Sequence, residues 1–64
     1  MSNVRILRLP QVESRVGLHK SAIYQRIAAG TFPRPVKLGP RASGWVEAEV
    51  DGWLEARLEE RAAA

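Results

Sequence analysis

GLHKSAIYQRIAAG, Gly17 to Gly30, is the stretch that decides the fold: a glycine turn feeds a short helix that a second glycine closes. Leu18, Ile23 and Ile27 recur at near-helical spacing and form one narrow apolar stripe, while Ser21, Tyr24, Gln25 and Ala28 point the other way. That outer face is small, polar and uncharged, with Lys20 and Arg26 at its edges. Hydrogen-bonding groups in the middle and phosphate-seeking charges at the rim are what a helix lying in a DNA major groove requires. Any surface helix also has a polar outer face, so the rest of the chain has to decide between the two readings.

Upstream, Pro10 suits the first turn of a helix, where its missing N–H would be unpaired anyway. Leu9, Val12 and Val16 then fall on one face, ahead of a helix-ending Gly17. This predicts a first helix of about two turns. Leu18 turns back to the core and His19 stands at the capping position of the next helix. Residues 10–30 therefore read as helix, glycine turn and helix, the helix-turn-helix arrangement. Before them, RILRL, Arg5 to Leu9, is a short β-prone run that needs a partner strand.

Downstream, two prolines around Arg34 make Thr31 to Pro35 an extended connector, with Phe32 as its apolar anchor. Val36 to Leu38 and Gly44 to Val46 are strand-like, and GPRAS, Gly39 to Ser43, has the composition of a hairpin turn. Residues 36–46 are thus a candidate wing. Lys37 and Arg41 give it positive charge, and Arg41 is near the tip, within reach of a phosphate or a minor groove. From Glu47 to Arg61, Val46, Val50, Trp53, Leu54 and Leu58 keep helical spacing, and Glu47, Glu49 and Asp51 crowd the end that the helix dipole favours for acids. The interior Gly52 suggests close approach to another backbone, and the Ala62 to Ala64 tail is expected to fray.

Sixty-four residues without a cysteine make one domain, residues 1–64, with neither disulfides nor thiolate metal sites to hold a small core. Packing has to suffice. The available cluster is Leu7, Leu9, Val12, Val16, Leu18, Ile23, Ile27, Phe32, Val36, Trp45, Val50, Trp53, Leu54 and Leu58, in which the two tryptophans are expected to be buried near one another and to tie wing to body. No apolar run approaches the roughly 20 residues of a membrane span, and no signal-peptide pattern opens the chain. The expectation is a cytoplasmic protein, associated with the nucleoid when bound.

The net charge of +3 is unevenly spread. Met1 to Val46 holds eight Lys and Arg against one acid, Glu13, a balance of +7, whereas Glu47 to Ala64 holds two against six, a balance of −4. A basic body attracts a polyanion, and an acidic terminal helix faces away from it or meets a neighbour's basic surface.

The order of these features resembles the AlpA-type prophage regulators, small proteins related to phage excisionases and to MerR-like winged helix-turn-helix domains. The likeness runs from Arg5 to about Arg57. AIYQRIAAGTFPRPVKLGPRASGW, Ala22 to Trp45, and EVDGWL, Glu49 to Leu54, carry most of it. It implies a mainly α fold of three helices with a small β-hairpin as wing, and binding to double-stranded DNA through Lys20, Ser21, Tyr24 and Gln25 on the helix, residues 20–29, and Arg41 on the wing, residues 39–43. Either transcriptional control or an excisionase-like role in directing a recombinase would use that surface. The chain departs from the family pattern at His19, commonly a serine cap, at Arg26, often apolar, and at Ala28, often basic. The imidazole of His19 is expected to serve as a cap or a backbone-phosphate contact, and Arg26 to lay its stem along the core with its charge on a phosphate.

One histidine, no cysteine and carboxylates gathered at a helix end give no basis for catalysis, a metal site, a cofactor or a small-molecule substrate. The rival class is a small protein-interaction module that docks a partner through its acidic helix or basic face. A module this size covers only about 600 to 1,000 Å² of DNA, so several copies are expected to act together, in a head-to-tail array on the duplex or as a homo-oligomer.

Overall fold

The computed structural model describes residues 4–63. In chain order these form β1 (Ile6–Leu7), α1 (Leu9–Val16), α2 (Lys20–Ala29), β2 (Val36–Gly39), β3 (Ala42–Val46) and α3 (Glu47–Ala63). Three helices surround an antiparallel sheet of order β1-β3-β2, the architecture of a winged helix-turn-helix. The partner that the first strand needs is the second strand of the hairpin: Ile6 lies opposite Val46 and Leu7 opposite Trp45. On the other edge, Val36 pairs with Gly44 and Lys37 with Ser43, and an irregularity before Gly39 shortens the turn to Pro40 and Arg41. Both hairpin strands are therefore longer than their side-chain alternation suggests.

Local chemistry sets the helix ends. The Arg8 N–H donates to Gln11 Oε1 at 2.8 Å just ahead of α1, and Pro10 occupies the first turn. Gly17 and Gly30 both take the left-handed conformation, with φ of 72° and 79°, and close α1 and α2 as αL caps. Their N–H groups reach back to Glu13 O at 2.9 Å and Ile27 O at 3.1 Å. His19 holds the N-cap position of α2 in extended backbone, and its side chain makes no capping bond.

Leu7, Val12, Ile23, Phe32, Trp45 and Val50 form the buried core, with Leu9, Val16, Leu18, Ile27 and Trp53 packed around it. Three expected members are outside it, among them Leu54, which is half-buried on α3. Val36 is 41% exposed because β2 is an edge strand, and Leu58 is 54% exposed on the C-terminal part of α3. The tail is helical through Ala63, beyond the expected end at Arg61, and Ala64 lies outside the described residues.

The tryptophans differ from expectation as well. Trp45 is buried, but Trp53 is only half-buried, and the tie they make runs through the connector. Trp45 Nε1 donates to Pro33 O at 3.0 Å while its ring makes an edge-to-face pair with that of Tyr24, centroids 6.2 Å apart. Trp53 Nε1 donates to Thr31 O at 2.7 Å, with Phe32 at 4.9 Å on one side and the Arg57 guanidinium over the ring at 5.3 Å.

Gly52 has no close neighbour: a Cβ built there meets nothing within 4 Å apart from the helix itself. The close approach read from the sequence is absent, and only the poor helix propensity of glycine remains. Gly52→Ala is therefore expected to stabilise the fold by up to about 1 kcal/mol. A thermal melt checks this, and a lowered midpoint would reveal a contact at that face.

Candidate nucleic-acid interface

α2 buries Ile23, half-buries Ala22 and Ile27, and exposes Lys20, Ser21, Tyr24, Gln25, Arg26 and Ala28. Ser21, Tyr24, Gln25 and Ala28 follow the i, i+3, i+4, i+7 spacing of a single helix face. There is no acid in the first turn and no side-chain cap, so the positive end of the helix dipole is uncompensated. Tyr24 is the member of this face with a structural tie. At 41% exposure, its ring stands against Trp45 while the remainder faces outward.

The hairpin brings a second basic group to the same side. Arg41 is exposed in the two-residue turn, and Lys37 is exposed on the edge strand. Arg41 and Ser43 share a cleft of about 440 Å³ with Tyr24 and Arg8, and Leu9 and Trp45 lie beneath. The structure thus joins two of the sequence-predicted residues, Tyr24 and Arg41, across α2 and the wing. His19 is elsewhere, lining a separate depression with Ser14 and Leu18. Arg8 is the addition that residue-by-residue reading missed. Its signal was an arginine two positions before a helix-opening proline, a place where a cation opposes the helix dipole and has no local purpose.

Charge is sorted across the molecule. Arg15 on α1 reaches Asp51 at 2.8 Å and Glu47 at 3.1 Å on α3. The hydrogen bond to Asp51, with the charge of both carboxylates, raises the Arg15 guanidinium above its ordinary value. Two of the acids assigned to the helix dipole, and expected to face away or toward a neighbour, thus have a partner in their own chain. Arg57 pairs with Glu60 at 2.8 Å. Among the described residues, Arg8, Lys20, Arg26, Lys37 and Arg41 have no carboxylate partner. Within the same residues, no three His, Asp or Glu side chains gather as a metal site needs, and no helix is long and apolar enough to cross a membrane.

Comparison with known proteins matches residues 5–58 to the family described as prophage CP4-57 regulatory protein (AlpA). The chain is 42% identical over 62 residues to the DNA-binding transcriptional activator AlpA of Escherichia coli (strain K12), covering 88% of this chain and 89% of that protein. It is 41% identical over 54 residues to the uncharacterized protein ORF88 of Enterobacteria phage P4, covering 84% of this chain and 61% of that one.

Proposed function

We propose that this chain, which belongs to the AlpA family of prophage regulatory proteins, binds double-stranded DNA sequence-specifically as a transcriptional regulator. In this reading α2 lies in the major groove and the hairpin turn reaches the adjacent backbone or minor groove. The observation that carries it is the uncharged, exposed face of Ser21, Tyr24, Gln25 and Ala28, bordered by basic side chains that have no acidic partner among the described residues. Ser21, Tyr24 and Gln25 are the base-reading groups, since a hydroxyl or an amide can both donate and accept at a base edge. His19, Lys20, Arg26, Lys37 and Arg41 hold phosphates, which positions the helix without reading sequence.

The test is a salt titration on specific and random duplexes. Three to five phosphate contacts, at about −0.9 each in the log–log slope, weaken binding by about 40- to 500-fold between 50 and 200 mM salt. Gln25→Ala should lose about 1–3 kcal/mol of discrimination between sequences, whereas Lys20→Ala should weaken every duplex alike. A slope near zero would remove DNA binding and leave a protein-interaction module. Wild-type behaviour of Gln25→Ala on all sequences would show that a different face of α2 reads the bases.

A further inference from the structure

The cleft between the β1–α1 junction, α2 and the hairpin has a composition that none of its three walls explains alone. Arg8, Tyr24, Arg41 and Ser43 line it, with Leu9 and the Trp45 ring beneath. The Arg8 backbone is fixed at this position. Its N–H is bonded to Gln11 Oε1 at 2.8 Å and its carbonyl accepts from Val12 N–H at 3.0 Å. Neither arginine has a carboxylate partner among the described residues, so two like charges border one cleft with no described acid to balance them. Two guanidinium forks and the Ser43 hydroxyl, without a carboxylate, form a donor set for an oxyanion. Bidentate donation to tetrahedral oxygen suits arginine in particular.

We infer that Arg8, acting with Arg41 and Ser43, grips one phosphodiester of the DNA backbone at the seam between α2 and the wing, beside the base-reading Tyr24. The inference rests on the DNA-binding reading above and adds to it a contact from outside both of the elements that reading uses. A strand passing from the groove occupied by α2 to the one met by the hairpin crosses this seam, and a phosphate held there sets the register of both. Such a contact carries no sequence information, so its loss is uniform across duplexes.

The experiment compares wild type, Arg8→Ala and Arg41→Ala on one duplex over a range of salt, and on the same duplex with single methylphosphonates walked along each strand. Thermal melts establish that the variants are folded, as expected for two exposed side chains. Arg8→Ala should bind about 10- to 100-fold more weakly at fixed salt, the loss of a hydrogen bond to a charged group. Its log–log slope should be shallower by about 0.9. Arg61→Ala, the same charge change at the far end of α3, should keep the wild-type slope. One methylphosphonate position should weaken wild type and leave both cleft variants no weaker than they already are. If wild type shows its steep slope and Arg8→Ala superimposes on it, the inference is overturned while DNA binding stands. Saturable binding of inorganic phosphate that needs Arg8, with no methylphosphonate position linked to it, would assign the cleft to a free anion and overturn it equally. Absence of salt-dependent binding by wild type would instead remove the reading on which it rests.

Discussion

Trp45→Ala is expected to lower the stability of the fold by about 3–5 kcal/mol, the range for truncating a buried tryptophan. A domain of this size has little more than that in total. Trp45 is 1% exposed on the central strand of the sheet and is the largest fully buried side chain. Its removal leaves a cavity, takes the donor from Pro33 O and removes the ring against which Tyr24 stands. Trp53→Ala should cost less, roughly 2 kcal/mol, for one edge-to-face pair with Phe32 and one indole hydrogen bond at a half-buried site. Thermal melts of the two variants read the difference directly. Equal midpoints would mean that Trp45 is not the centre of the packing. Under conditions where Trp45→Ala is still folded, DNA discrimination should fall too, because Tyr24 then has no fixed support.

Gly44→Ala is expected to destabilise by about 1–3 kcal/mol, the cost of forcing one methyl into a filled site. Gly44 is buried in β3 between both neighbouring strands. A Cβ there would run into the Ile6 side chain, and would lie 3.1 Å from the Leu7 carbonyl oxygen and 3.2 Å from Leu38 Cδ1. Leu38 is exposed and can swing aside, but the β1 backbone cannot move without disturbing the Ile6–Val46 and Leu7–Trp45 pairs. The damage should extend to function, since Arg8 follows β1 directly and Arg41 lies in the hairpin. The same glycine-to-alanine change thus has opposite signs at two positions, favourable at Gly52 and unfavourable at Gly44. A melt of Gly44→Ala at the wild-type midpoint would show that β1 is free to move.

The features legible in the sequence were those whose physics is local. Gly17 and Gly30 announced the ends of α1 and α2, Pro10 the first turn, and the prolines around Arg34 the extended connector, because each restricts its own backbone. The exposed face of α2 followed from its period. What was not legible depends on pairing over distance. A two-residue strand gives no signal about which of two hairpin strands it will join, and Arg15 meets Asp51 across 36 positions, so the acids of α3 looked like dipole compensation alone. Leu58 kept the helical spacing, yet it is largely exposed because periodicity cannot say where a helix outruns its body. Arg8 escaped notice for a related reason: its place opposite Arg41 exists only once β1 has paired with β3.

The connector between α2 and the hairpin is held at two carbonyls, Thr31 O by Trp53 and Pro33 O by Trp45, one indole from the last helix and one from the sheet. This makes the protein a gauge of fixed span. With the linking segment pinned from both sides, the separation between α2 and the hairpin turn has little tolerance, and under the proposed function a duplex engaged by both would have to adapt its own groove width. Sites whose base steps deform easily would then be preferred even at positions that no side chain touches. Substitutions that loosen either indole bond would widen the set of accepted sites before they weaken the best one.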